Sequence, residues 1–226
     1  MGLKLKDIVP WGRSLAEYMR MFDLKPVELE LHILDCASGP ASFTAEMTKM
    51  EHDAIACDPI YSFSASEIAD RIDETYEVII TGVKANLDSY VWGEIQSPNE
   101  LGQVRITSMR KFLEDYAIGL KAGRYVTAEL PNLPFSDRQF DLALCSHFLF
   151  SYSELLSLQF HIEAIEEMCR VAGETRIFPL LDISGEPSPW LEPTIAELQK
   201  RGMKTEVKTV SYEFQPGGNK MLRVKI

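Results

Sequence analysis

The chain alternates between short, almost wholly apolar runs and stretches in which apolar residues recur every three or four positions. Short apolar runs between turn residues are typical of buried strands, whereas the three-to-four spacing is typical of amphipathic helices. The apolar runs predict strands over residues 31–36, 54–58, 124–128, 140–147, 176–182, 204–212 and 221–226. The spaced stretches predict helices over residues 13–22, 41–50, 155–169 (ended by Gly173) and 193–200.

This order of elements predicts an α/β fold in which a doubly wound, Rossmann-like sheet carries helices on both faces. Residues 215–219, Gln-Pro-Gly-Gly-Asn, join the last two strands and predict a hairpin. The seven-stranded sheet is therefore expected to be mostly parallel, with one antiparallel strand. Pro and Gly are scattered rather than gathered into a linker, so residues 1–226 are predicted to form a single domain with an N-terminal helix within residues 1–25.

Residues 61–121 stand where a crossover of about a dozen residues would be enough. Ser64 with Glu67, and Ser97 with Glu100, have the spacing of helix N-caps. We interpret this insertion as a helical lid over the sheet. Extra helices that only stabilise the fold are an equal alternative.

The charge of the chain narrows the choice of partners. Acidic residues outnumber basic ones by 34 to 23, which gives a net charge of -11. This charge repels the phosphate backbone that dominates nucleic-acid affinity, so DNA and RNA are not expected as partners. No apolar run approaches the ~20 residues that span a bilayer, and the first residues do not resemble a secretion signal. We expect a cytoplasmic protein without a membrane partner, whose oligomeric state the sequence leaves open.

Cysteine and histidine spacings argue against a metal. The four cysteines form no CxxC pair, and three of them lie in predicted strands, which indicates reduced core thiols. The four histidines form no ligand cluster, so no metal is predicted.

Acidic side chains dominate the ends of the predicted strands. Ligands of open α/β sheets bind beyond the carboxyl ends of the strands. The residues that end or follow the strands are Asp35, Asp58, Glu129, His147 and Asp182. Because four of the five are acidic, a pyrophosphate is disfavoured and a cationic ligand is favoured.

The loop after Asp35 distinguishes two classes of nucleotide site. A dinucleotide site has G-x-G-x-x-G here, whereas this chain has Ala37, Gly39 and Ala41. S-adenosylmethionine carries an ammonium and a sulfonium group, which the Asp35 carboxylate would attract. Asp58 is expected to accept the two ribose hydroxyl protons, although NAD sites also use an acid at this point.

After the third strand, Glu129 is expected to accept a hydrogen bond from the exocyclic amine of adenine. The backbone N–H of Leu130 would pair with a ring nitrogen, and its side chain would pack on the purine. A surface loop acid with no ligand is the alternative for Glu129.

Three segments, ILDCASGPASF, ACDP and AELPNLPFSDRQFDLALCSH, resemble in order and spacing the nucleotide-binding segments of class I S-adenosylmethionine-dependent methyltransferases. The resemblance covers residues 30–226, and LPFSDRQFD is its most specific part. In that family this stretch follows the adenine-contacting acid at a fixed offset, which falls on Glu129. VPWGRSLAEYMRMF, RVAGETRIFPLLD and YEFQPGGNKML also resemble an uncharacterised bacterial branch of these enzymes, a likeness that implies no particular substrate.

The cofactor site predicted on these grounds comprises Asp35, Ala37, Gly39, Asp58, Pro59, Glu129, Leu130 and Ser146. Arg13 and Tyr18 on the first helix are predicted to close over the methionine end, with Arg13 holding its carboxylate in a bidentate pair. A solvated helix face is the simpler alternative for these two residues.

His147 is the candidate catalytic residue, as a general base near neutral pH. A histidine that only packs or hydrogen-bonds the cofactor is the alternative, since positioning alone suffices for many methyl transfers. Tyr61, Tyr152 and Asn219 are predicted to contact substrate. A plain helical core explains the aromatic residues of the insertion equally well.

We therefore expect transfer of a methyl group from S-adenosylmethionine to a small neutral or cationic acceptor. One alternative is a non-catalytic sensor or accessory protein that binds S-adenosylmethionine, which the alanines of the first loop favour. A more distant alternative is an NAD-dependent Rossmann oxidoreductase.

Overall fold

The computed structural model describes Leu5 and residues 7–226. Within these residues one sheet contains seven strands: β1 (Ile33–Cys36), β2 (Ala54–Cys57), β3 (Tyr125–Val126), β4 (Phe140–Ser146), β5 (Ala172–Phe178), β6 (Lys204–Thr209) and β7 (Lys220–Lys225). The α-helices of this part of the chain are α1 (Leu15–Met21), α2 (Phe43–Lys49), α3 (Ala65–Lys84), α4 (Pro98–Lys121), α5 (Leu158–Val171) and α6 (Leu191–Lys200). Short 3-10 helices cover Pro26–Glu30, Pro59–Ser62, Leu87–Ser89 and Phe150–Tyr152.

The strands lie in the order β3-β2-β1-β4-β5-β7-β6. β1 pairs in parallel with β2 and β4, and the pairs β2–β3 and β4–β5 are parallel as well. β7 is antiparallel to both of its neighbours, β5 and β6. The predicted Rossmann-like sheet with one antiparallel strand is therefore confirmed. The carboxyl ends of β1 to β6 meet at one edge of it.

Helices cover both faces of the sheet. Successive residues of a strand point to opposite sides, so each buried strand packs against both helical layers. On β1, Ile33 packs with apolar residues of α1 and α2, whereas Leu34 packs with those of α5 and α6. Both side chains are fully buried, and burial of each stabilises the fold by about 1.5–3 kcal/mol. The predicted covering of both faces is confirmed.

The predicted boundaries of the fifth strand are wrong. α5 runs directly into β5, so Gly173 lies inside the strand rather than at the end of the helix. A Cβ at Gly173 would stand 3.2 Å from the Asp141 carbonyl oxygen of β4, a close approach that suits glycine. The strand ends before Pro179, which has no N–H to donate, and does not reach Asp182. Leu180 is buried beyond the strand, which explains why the apolar run is longer than the strand itself.

The insertion consists of α3 and α4, joined by residues 85–97. The predicted caps are confirmed, because the Ser64 and Ser97 side chains each accept a hydrogen bond from the third residue of the following helix. The joining segment reaches the far side of the sheet edge, where the Val91 N–H donates a 2.8 Å hydrogen bond to the Phe214 carbonyl after β6. The insertion therefore bridges the carboxyl edge.

The four cysteines are free and buried, as expected for core thiols. No helix in the described part of the chain combines the length and the apolar character that crossing a membrane requires.

Candidate functional site

A cavity of about 850 Å³ lies over the carboxyl ends of the parallel strands. Cavities that bind small molecules have volumes of roughly 300–1,000 Å³, so this one is large for a single small ligand. Residues that follow β1 to β5 form its floor. Its roof is formed by α3, the start of α4, residues 212–218 and the N-terminal segment 7–13. The cavity therefore stands at the edge where the sequence predicts a ligand.

The loop after β1 turns through two residues with left-handed backbone. Ala37 has a φ of 52° and Gly39 a φ of 54°. This conformation costs a non-glycine residue about 1–2 kcal/mol, so Ala37 is strained where glycine would not be. A Cβ at Gly39 would have no atom within 4 Å, which leaves space beside the backbone. Gly12 lies against the same loop, since a Cβ there would be 2.1 Å from the Pro40 carbonyl oxygen.

Asp35 is fully buried beneath this loop. It accepts hydrogen bonds from the Tyr18 hydroxyl at 2.9 Å and from the Ser38 hydroxyl at 2.6 Å. Burial raises the pKa of Asp35 to about 7, the Asp58 charge adds to the rise, and the two hydroxyl bonds oppose it. Tyr18 and Ser38 line the cavity, and they separate it from Asp35. Asp35 thus lies behind the cavity wall rather than in it, in contrast to the direct ligand contact expected from the sequence.

Asp58 lines the cavity at the end of β2. Its carboxylate accepts a 2.9 Å bond from the Gly39 N–H and a 2.8 Å bond from the Ile60 N–H, so it also caps the 3-10 helix that follows. Burial raises the pKa of Asp58 to about 6 against the effect of these two bonds. Since each carboxylate oxygen has two lone pairs, capping leaves acceptor capacity on the cavity side.

Four further residues of the predicted cofactor site line the same cavity, namely Pro59, Glu129, Leu130 and Ser146. The Glu129 side chain is exposed, whereas Leu130 is buried. The structure therefore brings the ends of β2, β3 and β4 together around one space, as the sequence predicts.

Arg13 faces the cavity from the segment just before α1. Its Nη1 donates a 3.0 Å bond to the Trp11 carbonyl, while its buried Nε has no hydrogen-bond partner among the described residues. Burial and the nearby Arg105 charge lower the pKa of Arg13. The guanidinium is thus a cation with donor capacity to spare at the cavity wall.

A buried polar cluster lies behind Arg13. Arg105 is 1% exposed and donates a 2.6 Å bond to Glu17, and the Tyr212 hydroxyl lies 3.3 Å from both of these residues. Although burial opposes ionisation, the Arg105 and Arg13 charges hold the pKa of Glu17 at about 2. The cluster ties α1, α4 and the segment after β6 together. Sequence reasoning missed it, because its members are far apart in the chain and carry no local spacing.

His147 follows β4, has a φ of 53° and lines the cavity. Its Nδ1 shares a 2.9 Å hydrogen bond with the Ser146 hydroxyl. Burial and the positive charges of Arg13 and Arg105 lower the pKa of His147 well below its usual range. The imidazole is therefore neutral at physiological pH and has a nitrogen able to accept a proton.

The three predicted substrate residues have different surroundings. Tyr152 lines the cavity, and its hydroxyl accepts a 3.2 Å bond from the Val9 N–H. Tyr61 is buried in an aromatic cluster and donates a 2.7 Å bond to the carbonyl of Gly39, away from the cavity wall. Asn219 lies beyond the wall and contacts Glu213. Of the turn after β6, the residues that line the cavity are Phe214, Gln215 and Gly218.

The fold defines a Rossmann-like α/β protein with a cavity at the carboxyl edge of its sheet. The chain belongs to the family of MJ0045, an uncharacterized protein of Methanocaldococcus jannaschii, with which it is 36% identical over 224 residues, 99% of this chain and 98% of that protein. No protein-family model matches the chain.

Solved structures similar to this one share little sequence with it. A SAM-dependent methyltransferase from Aquifex aeolicus is 16% identical, with 92% of this chain and 90% of that chain covered and a TM-score of 0.43. The PH0226 protein from Pyrococcus horikoshii is 11% identical, with 93% and 90% covered and a TM-score of 0.49.

Proposed function

We propose that this protein binds S-adenosylmethionine in the cavity and transfers its methyl group to a small molecule. The observation that carries the proposal is the convergence of Asp58, Glu129 and Arg13 on one cavity. Each of these groups matches a different part of the ligand. The resemblance of three sequence segments to class I methyltransferases supports the same assignment.

The polar groups of the cavity fit an adenosyl ligand with an amino-acid end. Asp58 accepts hydrogen bonds from the ribose hydroxyls, while Glu129 and the Leu130 N–H bind the adenine edge. Arg13 pairs with the methionine carboxylate, which gives its unpartnered Nε an acceptor. The open space beside Gly39 admits the ligand close to the backbone.

The loop after β1 argues against NAD, whereas Asp58 does not discriminate, since NAD sites also use an acid at this point. The strained Ala37 stands where a dinucleotide loop uses glycine.

Bound S-adenosylmethionine supplies an electrophilic methyl group. The residues of the chain orient the two ligands and exclude water under the roof of α3 and the N-terminal segment. Transfer of the methyl group makes the proton on the acceptor atom strongly acidic, so the imidazole of His147 takes that proton even though burial and the neighbouring guanidinium charges lower its pKa.

Calorimetric titration with S-adenosylhomocysteine and NAD tests the binding step. We expect the adenosyl ligand to bind and NAD to fail. Asp58→Asn keeps an acceptor for only one of the two backbone N–H groups and loses the charge, and should weaken S-adenosylhomocysteine binding by at least about 10- to 100-fold, the range of a charge-assisted hydrogen bond. Asp73→Ala removes an exposed carboxylate of α3 outside the cavity wall and should leave binding unchanged.

Absence of S-adenosylhomocysteine binding would overturn the proposal. For the transfer step, release of S-adenosylhomocysteine is measured with S-adenosylmethionine and a panel of small acceptors. Release with an acceptor, and its loss in His147→Gln, supports methyl transfer. Tight binding with no release across the panel supports the sensor alternative instead.

A further inference from the structure

We infer that the half of the cavity beyond the predicted cofactor site binds a neutral, ring-bearing hydrophobic acceptor under an apolar roof. This inference rests on the proposed function and gives a chemical class to the acceptor. It follows from which side chains line this half of the cavity and from where the charges lie.

The roof of this half is one apolar cluster. Its cavity-lining members are Val9, Trp11, Ile79, Val83, Tyr90, Leu101 and Phe214. The Tyr90 and Phe214 rings lie 5.0 Å apart, centroid to centroid, and the Val91 N–H bond to the Phe214 carbonyl holds this contact closed. These side chains come from three distant parts of the chain, and they can bury apolar surface of a ligand from above.

The floor of this half is also mostly apolar. It is formed by Phe178 and Pro179 at the end of β5, with Ile183 and Tyr152 beside them. An aromatic ligand between such a floor and roof would contact side chains on both of its flat faces, the arrangement that favours ring stacking.

The charged residues that line the cavity cluster at its other end. Asp58 follows β2 and Glu129 follows β3. The Arg71 guanidinium lies 3.8 Å from the centre of the ring of Phe63, a residue that follows Asp58 closely in the chain. Glu74 is one helical turn further along α3. The other acidic or basic residues in the described part of the wall are Arg13, whose charge the cofactor carboxylate would neutralise, and Asp7, which is exposed at the rim.

A charged acceptor would therefore lose its hydration without gaining a partner. Burial of an unpaired charge is unfavourable, whereas burial of an apolar ring is favourable. A cationic acceptor, which the acidic composition alone favours, gains no partner from the buried carboxylate behind Arg13, because Glu17 is already paired with Arg105. Of the polar groups that line the cavity, we assign His147 to hold the reacting atom of the acceptor.

Three probes of the same ring size test this inference in protein saturated with S-adenosylhomocysteine: 2-naphthol, 2-naphthoate and 2-(aminomethyl)naphthalene. Their fluorescence reports binding without turnover. We expect the neutral 2-naphthol to bind at least about tenfold more tightly than either charged probe at pH 7. Equal or tighter binding of a charged probe would overturn the inference.

Variants of one helix locate the probe. Val83 is 2% exposed and belongs to the roof, whereas Val78 on the same helix is 58% exposed. Val83→Asp should weaken 2-naphthol binding by about tenfold or more, and the isosteric Val83→Thr by about threefold, because each adds a polar group to an apolar wall. Val78→Asp should change nothing. If Val83→Asp does not fold, the comparison of Val83→Thr with Val78→Thr decides, and equal affinities in that pair would contradict the assignment.

S-adenosylhomocysteine affinity, measured on the same variants, separates the two claims. We expect it to stay within about twofold throughout, since Val83 lies outside the predicted cofactor site. Failure of the wild type to bind S-adenosylhomocysteine would remove the proposed function itself. Normal S-adenosylhomocysteine binding with no preference for 2-naphthol would remove only the acceptor class.

Discussion

The Tyr18 hydroxyl donates a 2.9 Å hydrogen bond to the Asp35 carboxylate and so joins α1 to the end of β1 beneath the cavity. Neither side chain is more than 1% exposed, so water cannot replace the bond. Burial and the neighbouring Asp35 charge raise the pKa of Tyr18 well above its usual range, which keeps the hydroxyl a donor. The wall of the cavity thus depends on a buried acid and the phenol that satisfies it.

Removal of this hydroxyl should destabilise the fold. Tyr18→Phe leaves Asp35 with one donor fewer, and loss of a hydrogen bond to a buried charged group costs about 1–3 kcal/mol. Urea denaturation at pH 8, where Asp35 is largely ionised, measures the effect. In an Asp35→Asn background the cost should be smaller, because the charge is gone. Equal costs in the two backgrounds would show that the Tyr18 hydroxyl does not act through Asp35.

Stability should fall as the pH rises through neutrality. The pKa of Asp35 is raised to about 7 and that of Asp58 to about 6, from about 3.9 in an unfolded chain. Between these values the folded state holds protons that the unfolded state has released, so the free energy of unfolding decreases with pH. On their own, these two shifts lower the free energy of unfolding by a few kcal/mol between about pH 4 and pH 7, with little change above pH 8, since one pKa unit corresponds to about 1.4 kcal/mol.

Asp35→Asn is the check on that profile, measured by urea denaturation at intervals of pH. The part of the slope closest to pH 7 should disappear, while the part caused by Asp58 remains at lower pH. His147 and His161, whose pKa values burial lowers, act in the opposite direction below about pH 6.5, and Glu17, with a pKa of about 2, does so below about pH 4.5. The effect of Asp35 is therefore measured above about pH 6.5. Equal slopes between about pH 6.5 and pH 8 in the wild type and in Asp35→Asn would refute the prediction.

The N-terminal segment should be sensitive to a single methyl group at Gly12. A Cβ there would stand 2.1 Å from the backbone oxygen of Pro40, so either the segment or the loop after β1 must shift. We expect Gly12→Ala to destabilise the protein by about 1–3 kcal/mol, as overpacking does, and to weaken S-adenosylhomocysteine binding. Gly93→Ala is the matched control, since a Cβ there meets no atom within 4 Å. Identical stability and ligand affinity in the two variants would contradict this packing.

His147 should titrate unusually low, and Arg13 is one of the reasons. Histidine ring signals in NMR spectra, with the His147 signal assigned by its loss in His147→Gln, give the pKa directly. Arg13→Met removes a positive charge that disfavours the imidazolium, so the pKa of His147 should rise in that variant. Arg20→Met, on the same N-terminal region but paired with Glu94 at the surface, should leave the pKa of His147 unchanged. A pKa near 6.5 in the wild type would refute the assignment of a neutral base.

The ends of β1, β2 and β4 could be predicted from the sequence, because there the apolar run stops where the strand leaves the core. Asp58 and His147 were found in this way, and both line the cavity. Asp35 was found by the same rule, but the pattern of one strand does not reveal that Tyr18 of α1 covers its carboxylate. The side to which a strand residue points follows from its own strand, whereas the residue that covers it comes from a distant part of the chain.

The roof could not be predicted for a related reason. The N-terminal segment around Gly12 has no regular period, and its contact with Pro40 is a matter of backbone fit. Phe214 meets Tyr90 across more than half the chain, and neither position carries a local signal of that contact. The capping pairs at Ser64 and Ser97 were predictable, because a cap is satisfied within one helical turn.

The most direct test of the central claim is a crystal structure of the protein with S-adenosylhomocysteine. We expect the ribose hydroxyls within hydrogen-bond distance of Asp58, the adenine edge at Glu129 and Leu130, and the carboxylate of the ligand on Arg13. A ligand bound elsewhere, or in this cavity with its adenosine turned away from Asp58, would contradict the proposed function.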